Sequence, residues 1–346
     1  MVVIIKIITM AASVEEKIVD LKKDHFYDSG SVNVDGSVLK CWKAGGHGHQ
    51  TFLQVLENSC NPGFVKLGQE LGKERFFSYI NKFGFGTKTG IDLNGEGQGI
   101  IFNLDKVGNV ELSTSAFGQG VSVTPLQQVT AVSAVVNGGK LYQPYIVKSI
   151  SEPETNTIIK KNKKKLKDIV ISNRTSRIMR AALESVVAKG GGKSAYIEGY
   201  RIGGKTGTAQ KVENGKYLVG NYIMSFMAVV PSNKPEAVLY LAIDNPKNTA
   251  LLSSYTTTPI ARRILLDIID VLNIKKQQEE LKKDLEWTDK KTYKVPNVTG
   301  MTVEKAKEKL KKFTIEYSGS GNKVISQSPP ANTKIEEDAT VRLLLK

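Results

Sequence analysis

Two short stretches bring together groups that acyl transfer needs. Ser59-Cys60-Asn61 offers a hydroxyl and a carboxamide, and Lys205-Thr206-Gly207-Thr208 offers an ammonium followed by two hydroxyls. Active-serine acyl transfer uses such stretches in the order Ser-x-x-Lys, Ser-x-Asn, Lys-Thr-Gly. At the amino terminus Lys6 takes the lysine place, while Val3 stands where the nucleophile belongs. A hydrocarbon cannot attack a carbonyl, so the expectation is a substrate pocket without its reactive atom.

That chemistry places demands on the elements around it. The nucleophile must open a helix, so that the lysine one turn later faces it and the positive helix end steadies developing negative charge. A helix is expected over 7–18, which leaves Lys6 at its threshold. Ser37-Val38-Leu39-Lys40 also spells Ser-x-x-Lys, but it lies in the glycine-rich, turn-prone stretch 28–49. Helical spacing is read over 50–57 and over 64–83, with Ser59 to Gly63 as the turn between them. Thr124-Pro125 opens a further helix that Gly138-Gly139 stops, and Ser172 caps another that runs to Gly190. Short apolar runs over 200–211, 221–231 and 237–244 read as antiparallel strands, the first two joined at Asn214-Gly215. Thr258-Pro259 opens a closing amphipathic helix to Leu272. The pattern is α/β of the α+β type, an antiparallel sheet flanked by helices.

Composition bounds the rest. The chain has 346 residues, 40% of them hydrophobic and 24% charged, enough for one large domain and a small one. Much of the formal charge of +15 falls in two runs, Lys160–Lys167 and Lys275–Lys294. These runs are read as a solvated loop and a linker, with attraction to an anionic surface as the sharper alternative. Two cysteines, Cys41 and Cys60, exclude a disulfide framework and leave room for one bridge. The amino-terminal apolar run is broken at Lys6 and is far shorter than the roughly 20 residues that span a bilayer. It also lacks a basic start, so neither an export signal nor an anchor is expected in this chain. Beyond the linker, 293–346 reads as a separate unit: a strand at 295–298, a helix over 302–312, and strands at 313–317, 324–328 and 340–345.

Rival motifs are weaker in context. Lys88-Thr89-Gly90 repeats the lysine triplet inside a glycine-rich turn. Gly199 to Thr206 matches the phosphate-cradling G-x-x-x-x-G-K-[ST], but such a loop must lead into a helix, and here strands follow. His25, His47 and His49 have no companion acid at a suggestive spacing, so a His-x-His metal pair is set below a plain loop contact. No metal and no cofactor are expected.

Taken together, Cys41-Trp42, His47-Gly48, Asn58-Ser59-Cys60-Asn61, Gly84-Phe85-Gly86, Gly118-Gln119-Gly120 and Gly203 to Gln210 resemble the transpeptidase domain of class B penicillin-binding proteins. Val295-Pro296-Asn297-Val298 and Gln327-Ser328-Pro329-Pro330 resemble a PASTA domain, a pairing similar to that of sporulation-specific members. The resemblance implies a penicillin-binding protein/β-lactamase-like fold over 1–274, a charged linker over 275–292 and a small α/β PASTA domain over 293–346. It implies D,D-transpeptidation of peptidoglycan stem peptides through a serine acyl-enzyme, β-lactams as mimics of the donor, and a place at the extracytoplasmic face of the cell membrane. Anionic cell-wall polymers and other cell-wall synthesis proteins are further expected partners; nucleic acid is not. By the same resemblance, Lys6 is the base, Ser59 relays a proton to the leaving amine, and Lys205 holds the field positive. Asn61 binds the donor's amide carbonyl, and Thr206, Gly207 and Thr208 form the strand that holds its carboxylate and supplies an oxyanion donor. The family carries a membrane anchor, a pedestal and opening strands ahead of this point, so a truncated or frame-disrupted reading frame is expected. Non-catalytic cell-wall or β-lactam binding is the alternative.

Overall fold

A computed structural model describes residues 4–213, 216–246, 253–277, 292–336 and 339–346. Helix α1 (Ile4–Glu15) is apolar on every side, with Ile5, Ile7, Ile8, Met10 and Ala11 all buried. A helix of that kind belongs inside a core rather than on its surface. It begins three residues ahead of the expected point, because burial overrides the low helix propensity of its isoleucines. Three polar residues are carried inward with it. Thr9 donates to the carbonyls of Ile5 and Ala116, and Ser13 donates to that of Thr9, so two of them are satisfied by backbone. The third is Lys6.

The stretch expected to hold turns and short strands forms two small antiparallel pairs: β1 (His25–Asp28), β2 (Ser31–Val34), β3 (Ser37–Lys40) and β4 (Gly48–Thr51), with β1 against β4 and β2 against β3. Ser37 and Lys40 therefore sit in a strand, where they point to opposite faces. Helix α2 (Phe52–Glu57) starts two residues later than predicted, at a capping box between Thr51 and Gln54. The helix expected over 64–83 is two: α3 (Asn61–Leu71) and α4 (Lys73–Lys82), parted at Gly72, whose φ of 75° breaks the run. Asn61, Pro62 and Gly63 belong to α3 rather than to a turn, with proline in the first turn where its missing N–H costs nothing.

Helix α5 (Asn109–Ala116) packs on α3, and α6 (Pro125–Val136) follows its Thr124 cap as the sequence predicts. Four strands come next, the last three of them exposed: β5 (Lys140–Gln143), β6 (Ser149–Ser151), β7 (Ile158–Lys161) and β8 (Lys165–Ile169). The basic run expected as a loop therefore lies largely in strands, with its lysines exposed and Lys167 Nζ donating to the Thr89 carbonyl at 3.0 Å. Helix α7 (Asn173–Ala188) leads to the principal sheet of β9 (Gly203–Glu213), β10 (Lys216–Val230) and β11 (Ala237–Asp244), ordered β11-β10-β9 and antiparallel throughout. The expected Asn214-Gly215 turn lies outside the described residues. Helix α8 (Ser253–Val271) contains Pro259 in its interior instead of starting there, and it covers one face of the sheet.

Strand β10 divides the packing. Met227 and Val229 join the core shared with α1, α3, α6 and α7, whereas Phe226, Ala228 and Val230 join Ala261, Leu265 and Ile269 of α8. The period-2 alternation of a strand buried on both sides produces this.

The carboxy-terminal unit has its own core of Val295, Val298, Ala306, Leu310, Phe313, Val324, Val341 and Leu343. It comprises β12 (Thr292–Lys294), α9 (Val303–Lys309), β13 (Thr314–Gly319), β14 (Val324–Ser328), β15 (Lys334–Glu336) and β16 (Thr340–Leu345). The strand expected at 295–298 is displaced to Thr292–Lys294. Pro296 has no N–H for a ladder, and the Val298 N–H goes to the Gln327 side chain at 2.6 Å. Residues 278–291, most of the predicted linker, lie outside the described residues.

Candidate active site

The Ser-x-Asn stretch is built by the way α2 ends. The Ser59 N–H bonds to the Leu56 carbonyl and the Cys60 N–H to that of Val55, at 3.2 and 3.0 Å. With Asn58 as the C-cap, this is a Schellman motif, and it puts Ser59 at the position that glycine normally fills. Its φ is 55°, a left-handed conformation that costs a non-glycine residue about 1–2 kcal/mol. Cys60 then caps α3 and Asn61 begins it, so the motif is the joint between two helices. Gly63 lets the joint close: a Cβ there would lie 2.6 Å from Val55 Cγ1. From the other side Trp42 Nε1 donates to the Asn58 carbonyl at 2.8 Å, and Asn61 Nδ2 to the Lys40 carbonyl at 3.1 Å.

Lys6 enters this joint from α1. Its Nζ donates to Asn61 Oδ1 at 2.7 Å, to the Ser59 carbonyl at 2.8 Å and to Ser59 Oγ at 2.9 Å, using all three of its donors. Burial lowers the Lys6 ammonium to about 8, against the opposing pull of the Cys60 and Cys41 sulfurs. A lysine so placed is a competent proton acceptor near neutral pH. Lys205 is also fully buried, on β9, and is held well below the ordinary lysine range by burial first and by the charge of Lys6 second. Gly204 makes room beside it: a Cβ there would meet the Phe226 ring at 2.5 Å. Ahead of β9, Arg201 donates through Nε and Nη2 to buried Glu184 of α7 at 2.8–3.0 Å, fixing where the strand starts.

Thr206 lies beside Gly191, where an added Cβ would be 3.3 Å from Thr206 Oγ1, and Gly191 in turn donates to the Glu57 carbonyl. The two motifs therefore meet through the end of α7. Thr208 Oγ1 is 2.8 Å from Ser253 Oγ, which also donates to the Gly207 carbonyl. Ser253 had no signature in the sequence. Val3 lies outside the described residues. Lys88-Thr89-Gly90 is structural: the Thr89 N–H and hydroxyl and the Gly90 N–H all go to Glu96. Gly199 to Thr206 leads into a strand, so no helix end is available to hold a phosphate.

The histidine pair does not converge. The His49 ring lies tilted against Tyr27 with centroids 4.8 Å apart, whereas His47 turns the other way, its Nδ1 2.8 Å from Asp28 Oδ2 and 3.4 Å from Cys41 Sγ. Burial opposes the Asp28 charge, but hydrogen bonds from Cys41, His47, Gly30 and Cys60 outweigh it and lower the carboxyl to about 2. Both cysteines are free thiols.

Residues 4–266 match the penicillin-binding protein transpeptidase domain, and 293–346 match the PASTA domain. The chain belongs to the penicillin-binding protein transpeptidase family. Among curated relatives, it is 54% identical over 340 residues to Stage V sporulation protein D of Bacillus subtilis, covering 98% of this chain and 53% of that protein. It is 32% identical to a Peptidoglycan D,D-transpeptidase FtsI homolog of Mesostigma viride, covering 78% of this chain and 49% of that one. The chain thus spans about half the length of these relatives. Penicillin-binding protein 3 of Mycobacterium tuberculosis, solved with ampicillin, superposes with a TM-score of 0.74 at 26% identity, covering 82% of this chain and 65% of that one. The transpeptidase fold so established is the expected helix-flanked antiparallel sheet. Among the described residues no helix is long and apolar enough to cross a membrane.

Proposed function

We propose that this chain has the build of the catalytic unit of a peptidoglycan D,D-transpeptidase of cell-wall or spore-cortex synthesis, placed at the extracytoplasmic face of the membrane and binding stem peptides and β-lactams. The supporting observation is the convergence of Lys6, Ser59 and Asn61 within 2.7–2.9 Å of one ammonium nitrogen, with Lys205 near enough to feel its charge. In this reading Lys6 takes the nucleophile's proton, and Ser59 passes a proton to the departing D-alanine amine while Lys205 keeps the local field positive. Asn61 orients the donor amide. Thr206 and Thr208 hold its carboxylate, with Gly207 allowing close approach and the Thr208 N–H serving the oxyanion. Residues 1–274 form the transpeptidase, 275–292 the linker and 293–346 the PASTA unit. The exposed lysines at 160–167 suit anionic wall polymer as a further partner.

Val3 at the nucleophile place sets a second part of the proposal. As written, the chain binds donor or β-lactam without forming the acyl-enzyme. A fluorescent penicillin should leave no covalent band on a denaturing gel with the chain as it stands, and V3S should produce one. A stoichiometric band from the unaltered chain refutes the inactivity, and a folded V3S chain that never labels refutes the assignment of the site.

A further inference from the structure

We infer that the ribbon of β6 and β7 docks on the headgroup layer of an anionic lipid bilayer, its isoleucines entering the interface and its lysines meeting lipid phosphates. Exposed apolar side chains are concentrated there. Of the 22 exposed large hydrophobic residues among those described, eight fall within 145–169, among them Ile146, Ile150, Ile158 and Ile159. Single exposed hydrophobics are ordinary, but a contiguous group marks a surface that something covers. Strands β6, β7 and β8 contain no buried residue. A two-stranded ribbon with water on both faces is marginal on its own.

The ribbon is held out from the body rather than folded against it. Asp92 accepts the N–H groups of Ile146 and Val147 at 2.7 and 2.9 Å. Asn162 Nδ2 donates to the Val147 carbonyl at 2.7 Å and lies 3.3 Å from Asp92 Oδ2. These bonds tie down the base and leave the two strands projecting. Along them Ile150 stands opposite Lys160, so an apolar and a cationic side chain share a face. The register slips by one residue beyond that pair, which leaves Ile159 without a cross-strand partner and 70% exposed.

Charge and apolarity together select the occupant. Residues 145–169 carry seven lysines against three acids, with Glu152 and Glu154 in the connecting turn and Asp168 on β8. Lys167 is turned to the Thr89 carbonyl, and the other six lysines remain exposed. A polyanion such as wall polymer would satisfy these lysines but offers nothing to isoleucine. A second copy of the chain would bury the isoleucines while pressing two lysine clusters together. The interface of an anionic bilayer takes both. Apolar tips enter the acyl boundary, and lysine stems lie along it with their ammonium groups among the phosphates. Each lysine so placed adds roughly fivefold to binding, and salt screens that part alone. The inference concerns this ribbon and stands whether or not the chain transfers acyl groups.

The test is flotation of the full chain with vesicles of phosphatidylcholine, and with vesicles of phosphatidylcholine mixed with phosphatidylglycerol. Binding to the mixed vesicles alone is expected, weakened at least about tenfold at high salt. I158S/I159S and K163Q/K164Q/K165Q should each weaken it by at least about tenfold. These side chains are exposed, so both variants should melt with the unaltered chain. Should either melt lower, I146S and K148Q, which lie outside the paired strands, carry the same comparison. Equal binding to both kinds of vesicle, or binding that survives I158S/I159S unchanged, overturns the inference. So does capture by soluble anionic wall polymer without vesicle binding, or a chain that dimerises through the ribbon in sedimentation velocity and ignores vesicles.

Discussion

Replacing Ser59 by glycine and by alanine separates the two things this residue does. Either change removes the hydroxyl that accepts from Lys6 Nζ, so both lose the same hydrogen bond. Only alanine keeps a Cβ on a backbone held at φ 55°. Relief of the left-handed conformation is worth about 1–2 kcal/mol. Glycine's greater freedom in the unfolded chain takes back about 0.5–1 kcal/mol. S59G should therefore be more stable than S59A by about 1 kcal/mol, which corresponds to about 2–4 °C in the melting temperature of a domain this large. Thermal melts followed by circular dichroism, with urea titration as a second measure, read the difference directly. Equal stability, or an alanine variant more stable than the glycine one, would refute the Schellman geometry assigned to the end of α2. On the relay role proposed for Ser59, neither variant should support acylation in a V3S background. The chain thus carries strain at the one residue where a side chain is needed and glycine is the easier choice.

Gly68 of α3 faces Ala116, whose Cβ would lie 2.4 Å from an added methyl, so G68A should destabilise by about 1–3 kcal/mol in the same melts. A cost below about 0.3 kcal/mol would show that α3 and α5 are not packed this closely. Lys6 loses its proton near 8 in the folded chain against 10.5 ordinarily, a gap worth roughly 3 kcal/mol at about 1.4 kcal/mol per pH unit. The unfolded chain holds that proton more tightly between those values, so stability should climb as pH rises through 8 to 10.5, with the full penalty present below 8. K6M should flatten that climb without abolishing it, because Lys205 shifts in the same direction; an unchanged profile would contradict the burial of Lys6. Finally, R201A leaves the buried Glu184 carboxylate with the Ser232 hydroxyl in place of a guanidinium, and a loss of about 3 kcal/mol or more is expected in urea denaturation. Loss of under 1 kcal/mol would mean the pair does not anchor β9.

The sequence was most informative where chemistry and local structure coincide. Thr124-Pro125 and Ser172 cap helices as their residue types demand, and the alternation along 221–231 identifies the central strand. Lys6, Ser59 and Asn61 are legible as a set because each motif is compact and their order is fixed. What escaped was set by tertiary context. Gly72 interrupts a continuous apolar period, and nothing in that period signals a break. Pro259 looks like a helix start because proline favours first turns, yet α8 begins at Ser253, whose hydroxyl is engaged with Thr208 and Gly207. Asp28, Cys41, His47 and Cys60 come from the end of a strand, a single loop and a helix cap. Their spacing matches no short motif, and only the folding of 25–61 onto itself makes them neighbours.

The double life of β10 has a consequence for inheritance of damage. Met227, on the face toward α1, is the register partner of Lys205, while the residues on either side of it, Phe226 and Ala228, plug into the compartment under α8. Thinning either compartment would let the ribbon bow toward the void and drag the lysine with it. Lesions on opposite sides of the sheet, far from any substrate, should then converge on one symptom, a misplaced Lys205, and filling the opposite compartment should not repair it.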